Sequence, residues 1–265
     1  MTTIADIAAF LERFAPPALA EDWDNVGLLT GDRRQPAERV MTCLTITRDV
    51  VDEAVQRRAE LIVSHHPLPF RPLKRITTDD DTGRLLWQLA RSGTAIYSPH
   101  TGFDSAVEGI NQQLAEGLGL VEITPLIIKP GVGGQIDFCS GRKGRLPKPL
   151  DLDALALRTK QFLAIEQVQL VGRPGSMIER VAVACGSGGE FLELALAAGC
   201  QCLVTGETRF HTCVEAEATS CALVLAGHYA TERFAVETLA EVLAKEFSGL
   251  DVWASRAERD PLRWC

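Results

Sequence analysis

The 265-residue chain is 46% hydrophobic and 23% charged, a balance that excludes disordered, collagenous and fibrous classes and leaves room for one large or two modest domains. Its 27 basic against 35 acidic residues give a net charge of −8 and no basic footprint for following a phosphate backbone, which disfavours nucleic acid as a stoichiometric partner and leaves open only a local basic lining. No apolar run approaches the roughly 18 residues of a membrane span, and the N-terminal stretch lacks an export pattern, so a cytoplasmic protein with no membrane partner is expected.

Residues 4–14 carry apolar side chains at helical spacing and stop before Pro16 and Pro17, which cannot continue a helix. A polar link follows with Trp23, Asp24 and Asn25, read as a packed, hydrogen-bonded turn. The pattern then predicts a strand at 40–46, a helix at 50–59, a strand at 61–64, a helix at 84–91, a strand at 95–98 and a helix at 106–118. A glycine- and proline-rich stretch, 129–149, is the natural break. The theme then repeats: strand 181–185, helix 191–198, strand 202–205, helix 212–218, strand 222–226, helix 233–247. Strands alternating with helices imply crossover connections and parallel pairing. The expected fold is therefore α/β: two similar lobes, 1–126 and 127–265, each a mostly parallel sheet flanked by helices, with the C-terminal segment able to pack back on the first lobe.

The halves echo one another. The interval from Val40 to His65 equals that from Val181 to Gly206, 25 positions, and the next strand of each half runs into a histidine with a carboxylate four residues later. These are His100 with Asp104 in SPHTGFD, and His228 with Glu232 in GHYATE. Duplication of one α/β unit explains both matches, with coincidence as the alternative.

Five histidines decide the chemistry: His65, His66, His100, His211 and His228. In open α/β sheets functional groups gather at the carboxyl ends of strands, where His65, His66, His100 with Asp104, and His228 with Glu232 all fall. A lone histidine is more often a hydrogen-bonded structural residue. An adjacent pair beside Pro67 at a strand end, joined by two further His and carboxylate groups, points to one metal site at those strand ends. Imidazole and carboxylate without thiolate suit Zn, Mn, Fe or Ni, and this many donors exceeds what a mononuclear site with an open position requires. The eight cysteines form no CxxC pair and are read as buried, reduced thiols rather than ligands.

Other motifs have simpler readings. Gly186, Gly188 and Gly189 in VACGSGGEF suit a tight strand-to-helix turn better than a phosphate cradle. Glu207 and His211 in TGETRFH are placed beside the site or in a capping role. Arg71, Lys74 and Arg75 form a solvated loop surface that would attract phosphate if it lay near metals.

Several of these segments in order, EDWDNVGLLTGD, LIVSHHPLPF, YSPHTGFD, CGSGGEFL, TGETRFH and GHYATE, resemble the NIF-three-like dinuclear-metal proteins, also described as type 2 homologues of GTP cyclohydrolase I. The resemblance runs nearly end to end. It implies a two-lobed α/β fold, toroidal homohexamers and two divalent ions per subunit. By motif position it implies that His65, His66, Asp104, His228 and Glu232 are the ligands, with Glu232 as the bridge and His100 beside them as a proton carrier. Gly102 and Phe103 stand where the family commonly has an Asn-Leu type pair, a change to the pocket wall only. The implied activity is hydrolysis of a nucleotide or related small molecule by a metal-bridging hydroxide, with His100 or His211 moving the proton. The alternative is a non-enzymatic metal-binding scaffold or metal-delivery factor.

Overall fold

The computed structural model describes residues 1–129 and 138–263. Along the chain these form α1 (Ile4–Phe14), β1 (Gly27–Thr30), β2 (Arg39–Cys43), α2 (Arg48–Arg57), β3 (Leu61–Ser64), α3 (Asp81–Ser92), β4 (Ala95–Ser98), α4 (His100–Ser105) and α5 (Ile110–Gly117). There follow β5 (Val121–Lys129), β6 (Phe138–Asp151), α6 (Leu152–Leu163), β7 (Gln169–Val171), β8 (Met177–Ala184), α7 (Leu192–Ala197), β9 (Cys202–Thr205), α8 (Phe210–Ala218), β10 (Ala222–Leu225), α9 (His228–Glu246) and β11 (Asp251–Ala254). The chain divides into two units: residues 1–103 with 235–265, and residues 104–234. The divisions fall inside α4 and α9. The position expected to separate the lobes, 126/127, lies within the second unit.

In the first unit the sheet order is β1-β4-β3-β2-β11. β4, β3, β2 and β11 are parallel and only the edge strand β1 runs antiparallel. Local chemistry sets the helix ends. Thr3 and Asp6 form a reciprocal capping box that satisfies the first turn of α1. Asp80 caps α3 at one end, and Gly93, at φ +73°, ends it in the left-handed conformation. Met41, Ile62 and Ile96 from adjacent strands pack with Val50, Leu86 and Leu89 to form the core.

The second unit has the order β5-β6-β8-β9-β10-β7 and is mixed, differing from the mostly parallel sheet expected. Parallel pairing is confined to β8, β9 and β10; the β5–β6 ladder, the β6–β8 ladder and β7 are antiparallel. The stretch expected as a break lies partly outside the described residues, and its described part is the last residue of β5 and strand β6. Pro147 and Pro149 fall where the register with β8 shifts, between Arg145 and Leu150, a place where a missing N–H costs no ladder bond. Apolar layers cover both faces of this sheet, Leu114, Val181 and Val204 on one, Ala182, Leu203 and Leu223 on the other. The helix expected at 106–118 is α5, which starts only at Ile110 because Gly109 adopts an extended conformation ahead of it, and α4 precedes it as a separate short helix. Among the described residues no helix is long and apolar enough to cross a membrane, and Cys185, Cys200, Cys202, Cys213 and Cys221 are free thiols.

β11 enters the first sheet beside β2, and Glu53 of α2 secures the turn that follows it. Its carboxylate accepts from Trp253 Nε1 (3.1 Å), Ser255 Oγ (2.7 Å) and the N–H groups of Arg256 and Ala257 (both 2.9 Å). Burial pushes the Glu53 pKa up, but the four hydrogen bonds outweigh it and hold the group below its ordinary value. The charged form therefore stabilises the fold above about pH 4.5, and this contribution is lost as pH falls through the lowered value. In metal-free protein, Glu53→Gln is expected to cost about 1–3 kcal/mol at pH 7. The gap between thermal melts of the two proteins should narrow as pH falls below about 4.5, and a gap independent of pH would refute the charged clasp.

Candidate metal centre

In the first unit the β2–β3 ladder continues past the end of β3. The His65 N–H donates to Cys43 O (2.9 Å) and the His66 N–H to Leu44 O (2.8 Å). Ser98 Oγ and Ser64 Oγ donate to the carbonyls of His65 (2.6 Å) and His66 (2.7 Å), fixing both peptides. The His65 ring lies 5.0 Å from that of His66 and 5.1 Å from that of His100, centroid to centroid. One ligating nitrogen from each of the three falls within 4.8 Å of the others, a set that could hold a metal ion.

Each of two rings in this trio has its Nδ1 engaged, which orients Nε2 as the remaining donor. Thr45 Oγ1 lies 2.7 Å from His66 Nδ1. Asp24 Oδ1 lies 2.7 Å from His100 Nδ1, while Asp24 Oδ2 accepts from the Thr101 N–H and hydroxyl. Burial raises the Asp24 pKa, and the hydrogen bonds from His100 and Thr101 outweigh that to keep it ionised. His100 adopts φ +29°, an uncommon conformation for a residue with a β-carbon, at the first position of α4.

In the second unit His228 opens α9. Its Nε2 lies 3.1 Å from Glu232 Oε2, one turn on, and its Nδ1 lies 2.9 Å from Glu207 Oε1. The hydrogen bond to Glu232 raises the His228 pKa, burial opposes it, and Glu207 adds to the rise, giving about 9. Two carboxylates that favour a proton here also favour a divalent cation, so the donor chemistry fits a metal. The backbone also leaves room for this pair. Gly186 has φ +59°, and a β-carbon there would stand 2.2 Å from Glu232 Oε1 and 3.2 Å from His228 Nε2. The glycine motif is thus a turn that makes room for the pair; Gly188 is likewise packed against Ala184 and Thr205.

Asp104 of the same unit accepts from the Cys185 thiol at 3.1 Å. Burial, then the charges of Asp104 and Glu232, hold that thiol's pKa well above its ordinary value, so it stays a donor. Asn111 ties the group together: its Nδ2 donates to Asp104 O (3.1 Å) and its Oδ1 accepts the Cys185 N–H (2.8 Å). The buried Arg142 guanidinium donates to Ser105 O and Ala106 O, holding the carbonyls at and just past the end of α4, next to Asp104.

His211 differs from its expected catalytic placement. It is exposed on α8 with its ring 6.0 Å from Phe210, and no described hydrogen bond joins it to His228 or Glu232. Glu207 fills the supporting position instead. The sequence reading did not single out Thr45, Asp24 or Cys185 as partners of the site. Only Asp24, within WDN, gave a signal, since an acid between Trp and Asn in a turn is a residue whose side chain must bond inward.

A family model for DUF34/NIF3 (NGG1p interacting factor 3) matches residues 2–261. The chain belongs to the DUF34/NIF3 family. Relatives include a GTP cyclohydrolase 1 type 2 homolog of Clostridium acetobutylicum, 32% identical with 86% of this chain and 85% of that protein covered. NIF3-like protein 1 of Drosophila melanogaster is 31% identical, covering 98% and 88%. Among solved structures, Staphylococcus aureus protein SA1388 superposes with a TM-score of 0.88 at 26% identity, covering 100% and 99%. Reduced HcgD from Methanocaldococcus jannaschii superposes with a TM-score of 0.80 at 26% identity, covering 96% of each chain. The α/β family fold with two helix-flanked sheets is shared.

Gly186→Ala is expected to displace the Glu232 carboxylate and lower divalent-metal affinity at least about tenfold, the scale on which disturbed ligand support acts. Competition with a chromogenic chelator measures it, with circular dichroism as the check on folding. Unchanged affinity would show that the pair does not depend on this opening.

Proposed function

We propose that the chain binds two divalent ions through His65, His66, Asp104, His228 and Glu232, and that it is a metal-dependent hydrolase of a nucleotide or related small molecule. The observation that carries this reading is the trio of imidazoles with ligating atoms within 4.8 Å, in a chain that also holds the His228–Glu232 pair. Imidazole and carboxylate donors, with the Cys185 thiol held protonated beside Asp104, suit Zn, Mn, Fe or Ni. The names of several relatives, GTP cyclohydrolase 1 type 2 homolog, favour a purine nucleotide as the substrate class.

Bound divalent ions supply Lewis acidity and make water acidic enough to ionise near neutral pH. The chain's own residues do the rest. Thr45 and Glu207 fix the imidazoles of His66 and His228 through Nδ1. His100 carries the proton to the leaving group, because Asp24 on its Nδ1 stabilises the charged imidazolium that results. His211, exposed on α8, is left outside this sequence of events. We further propose a cytoplasmic homohexamer as the working form.

Metal analysis on wild type is expected to give two ions per chain, with His65→Ala/Glu232→Ala losing them. Wild-type metal content in that double variant would overturn the ligand assignment. Turnover of nucleotides and phosphoesters should vanish on chelation and return with metal. Turnover that survives complete metal removal would overturn the hydrolase mechanism, and a fully loaded protein without turnover on any of them would leave a metal-binding scaffold.

A further inference from the structure

The first unit displays two large aromatic side chains to solvent next to its most buried histidines. Trp23 is 62% exposed and Phe70 is 49% exposed. Their rings lie 5.9 Å apart, and each presents an edge-on contact to the ring of His100 at 6.0 Å. His100 is buried, so the two exposed rings stand at the surface over one member of the histidine trio.

This pair is held from below. Asn25 Nδ2 donates to Pro69 O at 2.7 Å, tying the segment of Trp23 to that of Phe70. Asp24, between Trp23 and Asn25, is anchored by His100 and Thr101. Apolar area left in water forgoes the stabilisation of burial, and here that area is presented on a fixed support, the condition under which a ligand need not order its own site.

Charge narrows the occupant. Arg71, Lys74 and Arg75 follow Phe70 on an exposed loop, and no described ion pair involves any of the three. Two ring faces cover far less than the roughly 800 Å² per partner that a stable protein interface buries. Adjacent cations call for an anionic group. We propose that Trp23 and Phe70 form a stacking platform for the planar aromatic ring of a substrate whose anionic group is received by Arg71, Lys74 and Arg75. The inference rests on the hydrolase reading for the word substrate, and on the first unit's own geometry for the binding site.

The test uses metal-loaded full-length protein and three probes: guanosine 5′-monophosphate, ribose 5-phosphate and guanosine. Calorimetric titration is expected to rank the nucleotide above both fragments. Trp23→Ala and Phe70→Ala should each weaken the nucleotide about tenfold, the effect of losing one base-stacking side chain, with ribose 5-phosphate unchanged and Trp23→Phe restoring most of the affinity. A triple Arg71→Ala/Lys74→Ala/Arg75→Ala variant should weaken the nucleotide and leave guanosine alone. Melting curves and metal content should match wild type throughout, since both rings are exposed.

Equal nucleotide affinity in wild type and Trp23→Ala/Phe70→Ala would overturn the platform. So would a double variant that changes sedimentation without changing affinity, which would make the face a contact between copies. Failure here is separable from failure of the hydrolase reading. Metal-dependent turnover of guanosine 5′-monophosphate that is insensitive to the aromatic variants sinks the platform alone, whereas ring-selective binding without any turnover sinks the hydrolase alone.

Discussion

Two backbone hydrogen bonds beyond the last residue of β3 decide where the first unit's chemistry sits. Because the His65 and His66 amides remain bonded to Cys43 O and Leu44 O, the chain keeps its register with β2 while it is leaving the sheet. Neighbouring side chains on a strand point to opposite faces, and a slip of one residue would exchange them. Held in register but already turning, the two imidazoles instead come within 5.0 Å of each other. Ser98 at the end of β4 bonds the His65 carbonyl, so the strand that delivers His100 is joined to the peptide that delivers His65.

The second unit solves the same problem with the same grammar. β2 pairs β3 and β8 pairs β9 at an identical sequence offset, Val40 to Leu61 and Val181 to Cys202. In each unit a histidine is the first residue of the helix after the next strand, and a carboxylate holds its Nδ1. His100 is held by Asp24, fully buried, and His228 by Glu207, about half exposed. These matches favour duplication of one α/β unit over coincidence. The copies then diverged electrostatically, one support being shielded from solvent and the other screened by it.

Much of this was legible in the sequence because it is periodic or local. α1, β3, β4 and β9 lie where apolar spacing places them, since buried parallel strands are short apolar runs and little else competes for such segments. The mixed character of the second sheet was not legible. β6 carries glycines and prolines that look like a linker, and only tertiary pairing with β5 and β8 makes it a strand. The metal-type residues were found through their strand-end positions, whereas Thr45 and Cys185 were missed. A threonine after a strand and one cysteine among eight carry no pattern; their significance lies in what the fold puts opposite them.

The positive φ of His100 has a consequence for how this position responds to selection. A residue without a β-carbon, or asparagine, would relax the backbone there. Backbone conformation alone would therefore favour glycine or asparagine at position 100, while the imidazole that bonds the buried Asp24 carboxylate favours histidine. The two pressures oppose one another at a single residue, and the buried carboxylate decides between them.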